Sequence, residues 1–198
     1  EALVEGVPYV QLKQPLTVVG AQLDGAGANR ARSARSHLRW VARSQRIPFS
    51  RVEDVLELVG LLSDASRQVG QYSLGMAQRL GIGVALLGDP RILVLDEPMN
   101  GLDPDGIRWL RALVRNQASR GCTVLLSSHL LTELEGIADD VLILRNGRLV
   151  CQSGAKELAD HFGSLEAAYV EFTSGQTTTK PGQMTAKFGP MKTKEEQK

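Results

Sequence analysis

The apolar positions of this chain alternate between two patterns. Some runs are short and continuous, and others recur every three to four residues. "ILVLDEP" (92–98) is four apolar residues running into two carboxylates and a proline, which predicts a buried strand over about 91–96. "TVLLS" (123–127) and "VLILR" (141–145) read the same way, as strands buried on both faces. "YVQLKQPLTVVGAQLDGAGA" predicts a turn, a strand near Leu16 to Gln22 and a glycine-rich loop.

Helical spacing fills the stretches between. "SARSHLRWVARSQRI" predicts a basic helix with Leu38, Val41 and Ala42 on one face. Ser50 followed by Glu53 has the form of a capping box, Val52, Val55, Leu56 and Val59 continue the spacing, and Gly60 is the stop. Ser73 opens a helix that carries Met76, Leu80 and an apolar run to Leu87, and Gly88-Asp89-Pro90 ends it. Asp103-Pro104 supplies an N-cap and an N1 proline for a helix striped by Ile107, Leu110, Leu113 and Val114. "LLTELEGIAD" is a short helix, and Asn146-Gly147 between two apolar runs is a two-residue hairpin signal. Short helices follow at 155–162 and 164–172, and from about Ser174 the chain is polar and expected to be disordered. Strands alternating with helices predict an α/β fold with a mostly parallel sheet.

Composition narrows the function classes. At 42% hydrophobic and 23% charged, the 198 residues suit one ordinary globular domain. A net charge of +1 gives no reason to expect a nucleic acid or a polyacidic partner. No apolar run approaches the roughly 18 residues of a membrane span, and no signal-peptide pattern opens the chain. Cys122 and Cys151 lie far apart, outside any metal-ligand spacing, and read as buried thiols of a reducing cytosol.

The candidate chemistry begins with Asp96 and Glu97 at the carboxyl end of a buried strand, where open α/β sheets place their ligands. Taken alone, "LDE" is equally a strand ending in solvated acids. It is preceded by "YSLGMAQRL", followed by "NGLDP", and later joined by "LLSSHLLTELEGIADDVLILRNGRL". This ordered set resembles the ATP-binding subunit of ABC transporters over about residues 1–172. "SLEAAYVEF" further resembles the C-terminal helix of drug-resistance-type bacterial exporter subunits.

The resemblance implies a P-loop NTPase (RecA-like) core with parallel strands and a helical subdomain at about 28–87, in a domain of residues 1–172 before a tail of 173–198. It also implies ATP and Mg²⁺ as cofactors. Tyr72, Ser73, Leu74, Gly75 and Met76 match the signature motif, Asp103 the D-loop and His129 the switch histidine. Asp96 would hold Mg²⁺ through water, Glu97 would be the general base, and His129 would contact the γ-phosphate. Ser73 and Gly75 open a helix, so their backbone N–H groups suit an anion. A capping serine, a flexible turn and a strand-end histidine explain each residue singly. The Q-loop position falls on Asp24, with Gln22 the nearby glutamine, and either could reach Mg²⁺ or the attacking water.

No G-x-x-x-x-G-K-[ST] occurs, and no lysine lies between Lys13 and Lys156. "LDGAGANRAR" has glycines but no lysine. The expectation is an N-terminally truncated domain without its first strands and P-loop, so that this chain alone is inactive. By family analogy a strand would lie between 123–127 and 141–145, so a gap is expected there. The implied partners are a transmembrane permease and a second ATP-binding subunit in a head-to-tail dimer, at the cytoplasmic face of the membrane, with no nucleic acid. A non-catalytic subunit that lends its signature to ATP on another chain is the alternative. A chromosome-maintenance ATPase is disfavoured, because only some 50 residues separate Asp24 from the signature and no heptads run through them.

Overall fold

The computed structural model describes residues 3–23 and 27–174. The expectations for Asp24 and for the tail beyond Ser174 fall outside these residues. The chain divides into two compact units, Glu1–His129 and Leu130–Lys198, where the motifs implied one domain over 1–172.

The first unit begins with a small antiparallel pair, β1 (Leu3–Val4) and β2 (Val7–Pro8). The strand expected from Leu16 starts later. Pro15 occupies the first turn of a single helical turn, α1 (Pro15–Val18), and Thr17 Oγ1 donates to the Gln14 carbonyl at 2.8 Å. Proline's fixed φ and this hydroxyl bond favour a turn over extension. Only Val19–Gln22 form β3.

β3 pairs in parallel with β4 (Ile92–Leu95), which pairs in parallel with β5 (Thr123–Leu126). Leu93 and Leu95 are buried, whereas Ile92 and Val94 are half-buried. β5 departs from the expected two-sided burial: Thr123 and Leu125 are exposed, Leu125 by 55%. The run is apolar on both sides, but among the described residues helices cover one face only. Among the described residues, β5 hydrogen-bonds to β4 within this sheet.

Three helices share one buried cluster: α2 (Ala34–Ser44), α3 (Ser50–Leu58) and α4 (Leu74–Leu86). Leu38, Val55, Leu56 and Leu80 are fully buried within it. The capping box at Ser50 does not form. Ser50 lies inside the helix behind Phe49, which makes no side-chain cap. Glu53 instead takes Arg35 of α2 through Nε at 2.9 Å and Nη2 at 3.1 Å. A two-point charge-assisted contact from the neighbouring helix outcompetes a reach back to a backbone N–H. It holds the Glu53 carboxyl below its ordinary range. Gly60 does end this helix, at φ +69°.

His37 of α2 is 5% exposed, with Nδ1 unpartnered. Burial first, and the Arg32 charge second, push its pKa below the ordinary 6.5. A lowered folded-state value means that the neutral ring is favoured in the native state. Its contribution is therefore complete above about 6.5 and is lost as pH falls below that value through the folded pKa. Thermal midpoints measured from pH 7.5 down to 5 should decline, and His37→Gln should flatten the decline. Parallel slopes in the two proteins would place the acid sensitivity elsewhere.

α5 (Pro104–Ser119) begins on Asp103, whose Oδ1 accepts from Gly106 N at 2.7 Å, as its N-cap motif predicts. Ile107 is half-buried, while Leu110, Leu113 and Val114 are buried. Cys122 is also half-buried rather than enclosed. Burial, with a lesser push from Asp89, raises its thiol pKa, so it is no ready nucleophile.

The second unit has its own core. After α6 (Leu131–Leu134), β6 (Asp140–Arg145) and β7 (Arg148–Gly154) form the predicted hairpin. Asn146 and Gly147 take φ +50° and +73°, as a type I′ turn requires. α7 (Ala155–Phe162) and α8 (Leu165–Thr173) follow, and Ile143, Leu158, Leu165 and Phe172 are buried together. Leu142 and Leu144 of β6 are 52% and 65% exposed. No helix among the described residues is long and apolar enough to cross a membrane.

Candidate functional site

β3, β4 and β5 run parallel, so their carboxyl ends lie side by side. Asp96 N donates to the Gln22 carbonyl at 2.8 Å, and Ser127 N donates to the Leu95 carbonyl at 2.9 Å. These bonds extend the ladder one step past β4 and bring Asp96, Glu97 and Ser127 together. The chain then turns sharply: Glu97 has φ +46°, a conformation that a side chain with a Cβ rarely adopts.

Four side chains meet at this turn. Ser127 Oγ donates to Asp96 Oδ1 at 2.5 Å and accepts from Glu97 N at 2.9 Å. His129 Nδ1 lies 2.8 Å from Glu97 Oε2. Glu97 is about one-third exposed and His129 about two-thirds, so the pair opens to solvent, where a substrate could reach it. From α4, Gln78 Nε2 donates to the Glu97 carbonyl at 3.2 Å.

The signature residues stand at the start of α4. Ser73 is its N-cap, and its Oγ accepts from Met76 N at 3.2 Å, which leaves the hydroxyl proton for an acceptor outside the helix. Leu74 is 65% exposed. A Cβ on Gly75 would lie 3.0 Å from the Gly101 carbonyl, and one on Gly101 would meet Leu74 Cδ2 at 2.3 Å. The signature and the loop before Asp103 are therefore in direct contact.

Tyr72 and Gln22, two of the residues chosen from sequence, sit differently in the fold. The Tyr72 hydroxyl donates to the Asp64 carbonyl at 2.8 Å, and burial raises its pKa. Its phenol braces the loop before α4. Gln22 is 3% exposed, and neither of its amide atoms has a partner. By strand alternation it shares a face with Gly20, the side that α4 covers.

The structure adds Ser127 and Gln78 to the residues chosen from sequence. Ser127 stands at the end of a strand, two residues before His129. Gln78 stands within the same nonapeptide as Ser73. Spacing placed both near the motifs, but their partners are backbone and side-chain atoms far away in sequence, so only the folded chain identifies their bonds.

The donor set suits a magnesium ion held by few protein ligands. Asp96 offers a carboxylate oxygen, the hard donor that magnesium prefers, and Ser127 Oγ orients it.

Comparison with known proteins gives the family. Residues 10–100 match the family described as ABC transporter. The chain is 45% identical over 123 residues to the bacitracin transport ATP-binding protein BcrA of Bacillus licheniformis, covering 61% of this chain and 39% of that protein. It is 34% identical over 155 residues to the lantibiotic transport ATP-binding protein SrtF of Streptococcus pyogenes, covering 77% and 68% respectively. A solved ATP-binding subunit of an ABC transporter superimposes with a TM-score of 0.74 at 26% identity, over 85% of this chain and 74% of that one. The chain thus spans about two-fifths of one relative and two-thirds of the other. With paired acids at a parallel-strand end, a serine-capped turn opening α4, and these relatives, the chain belongs to the family of ABC transporter ATP-binding proteins.

Proposed function

We propose that this chain contributes the catalytic acids and the signature segment of an ATPase that powers export through an ABC transporter. The observation that carries the proposal is the joined set Asp96–Ser127–Glu97–His129 at the ends of β4 and β5. In this reading Glu97 accepts the proton of the water that attacks the γ-phosphorus, as the bond to the ADP oxygen breaks. His129 holds one oxygen of that carboxylate, leaving the other for the water, and faces the transferred phosphoryl group. Asp96, oriented by Ser127, would hold Mg²⁺ through water. The ion, when bound, supplies positive charge to the phosphate oxygens. Asp24 or Gln22 would complete this shell.

The 198 residues contain no lysine-bearing phosphate loop. The cradle for the β- and γ-phosphates is therefore assigned to residues outside this sequence, and these residues alone are expected to be inactive. Ser73, Leu74, Gly75, Met76 and Asp103 would face ATP bound by a second ATP-binding subunit arranged head to tail. A membrane permease would be the other partner, with the assembly at the cytoplasmic face. The relatives named for bacitracin and lantibiotic transport support export of a compound of that kind, with selection of the cargo left to the membrane subunits.

Ser73→Arg in the assembled ATPase tests the arrangement. A bulky cation at the start of α4 should lower turnover by about 100-fold or more, an amount comparable to the loss of an essential transition-state contact. ATP binding to the chain that carries the substitution should persist. Loss of that binding would show that Ser73 acts on its own chain's nucleotide. Unchanged turnover would remove the signature from the reaction.

A further inference from the structure

The backbone of Glu97 is gripped on both sides by side chains from other elements. Its φ of +46° is a sparsely populated conformation that persists only where surrounding contacts impose it. The N–H donates to Ser127 Oγ at 2.9 Å. The carbonyl accepts from Gln78 Nε2 at 3.2 Å and from Asn100 N at 3.1 Å. Gln78 is 6% exposed, so its bond is shielded from competing water. The same Ser127 hydroxyl donates to Asp96 Oδ1 at 2.5 Å.

We propose that Ser127 and Gln78 are positioning residues that clamp Glu97 in its left-handed turn and couple its carboxylate to the signature helix. This rests on the reading of Glu97 as the general base. Ser127 is well suited to the role, because one hydroxyl has a proton to give Asp96 and lone pairs to accept the Glu97 amide. It therefore sets both acids at once. Gln78 is on the helix that Ser73 caps, so a shift of that helix pulls directly on the Glu97 carbonyl. Release of either bond lets φ relax to negative values. The side chain then swings off His129, and the base loses its aim. Occupation of the signature by an anion is thereby linked to the geometry of the base by a single rigid helix.

The test uses the ATPase assembled with its partner chains. Ser127→Ala should lower kcat about tenfold with KM for ATP within about twofold, a loss of about 1.4 kcal/mol felt in the transition state alone. Ser127→Thr keeps the hydroxyl and should restore most of it. Gln78→Met, close in size and without the donor, should lower kcat in the same direction while leaving Ser127 in place. Independently of turnover, crystal structures of Ser127→Ala and Gln78→Met should show Glu97 out of the left-handed region and its contact with His129 opened beyond hydrogen-bond distance. Wild-type kcat in Ser127→Ala, equal impairment in Ser127→Thr, or an unmoved Glu97 would overturn the clamp. Should Ser127→Ala fail to fold, Ser127→Thr and Gln78→Met decide the question by the same two readouts. An unsubstituted assembly that hydrolyses no ATP would overturn the hydrolytic reading instead, and the position of Glu97 in the variant structures would still decide the clamp.

Discussion

Glu97→Gln in the assembled ATPase is expected to reduce steady-state turnover by a factor of about 10²–10⁴, the usual contribution of a positioned general base. ATP-driven dimerisation should survive. The substitution keeps the length and planarity of the side chain, and the amide can still hydrogen-bond His129 Nδ1, 2.8 Å from the present oxygen. The contacts of the Glu97 N–H and carbonyl with Ser127 and Gln78 are made by backbone atoms and do not depend on the side chain. What is lost is the ability to take a proton. Phosphate release assays report the first effect, and light scattering with and without ATP reports the second. Turnover that persists at the wild-type rate would exclude Glu97 as the base and leave this chain the role of a non-catalytic subunit lending its signature to a neighbour.

Gly20→Ala should produce the largest loss of stability. A Cβ there would lie 2.0 Å from the Ala85 carbonyl oxygen, 2.8 Å from its carbon and 2.9 Å from Pro90 Cγ. Two of these atoms are helix backbone and cannot turn aside as a side-chain tip would, so α4 must move off β3. Overpacking of this kind costs about 3 kcal/mol, or a fall of about 6–12 °C in Tm for a protein of this size. Ala21→Ser, on the exposed face of the same strand, is the matched control and should shift Tm by about 2 °C or less. A Gly20→Ala midpoint equal to that of the control would mean that α4 and β3 stand farther apart than described. Because β3 holds Asp96 N through the Gln22 carbonyl, displacement should also loosen the acid pair.

Features that depend on near neighbours were readable in the sequence. Ser73 and Asp103 cap their helices as their motifs required, because a cap is a bond between residues three apart. Asn146-Gly147 made its hairpin because positive φ at both positions is a property of those two residues. Asp96, Glu97 and His129 were legible from motif order. The parallel alternation of strands and helices was legible too.

What the tertiary structure decided involves partners distant in the chain. Glu53 looked like half of a capping box, but Arg35, brought beside it by helix packing, offered a stronger two-point partner. Leu16 looked like a strand residue until Pro15 and Thr17 closed a turn. Tyr72 was chosen for its place in the motif, and only the fold shows that its hydroxyl donates to the Asp64 carbonyl. The runs "ILVL" and "TVLL" announced apolar faces on both sides, but no apolar pattern says which face a helix will cover. That assignment follows from Gly20, where the lack of a side chain lets α4 lie against β3. The clamp on Glu97 was the least legible of all, because it joins positions 78, 97 and 127 through one backbone unit. Periodicity registers which residues share a face, but a hydrogen bond to a peptide group leaves no mark on the residue that owns it.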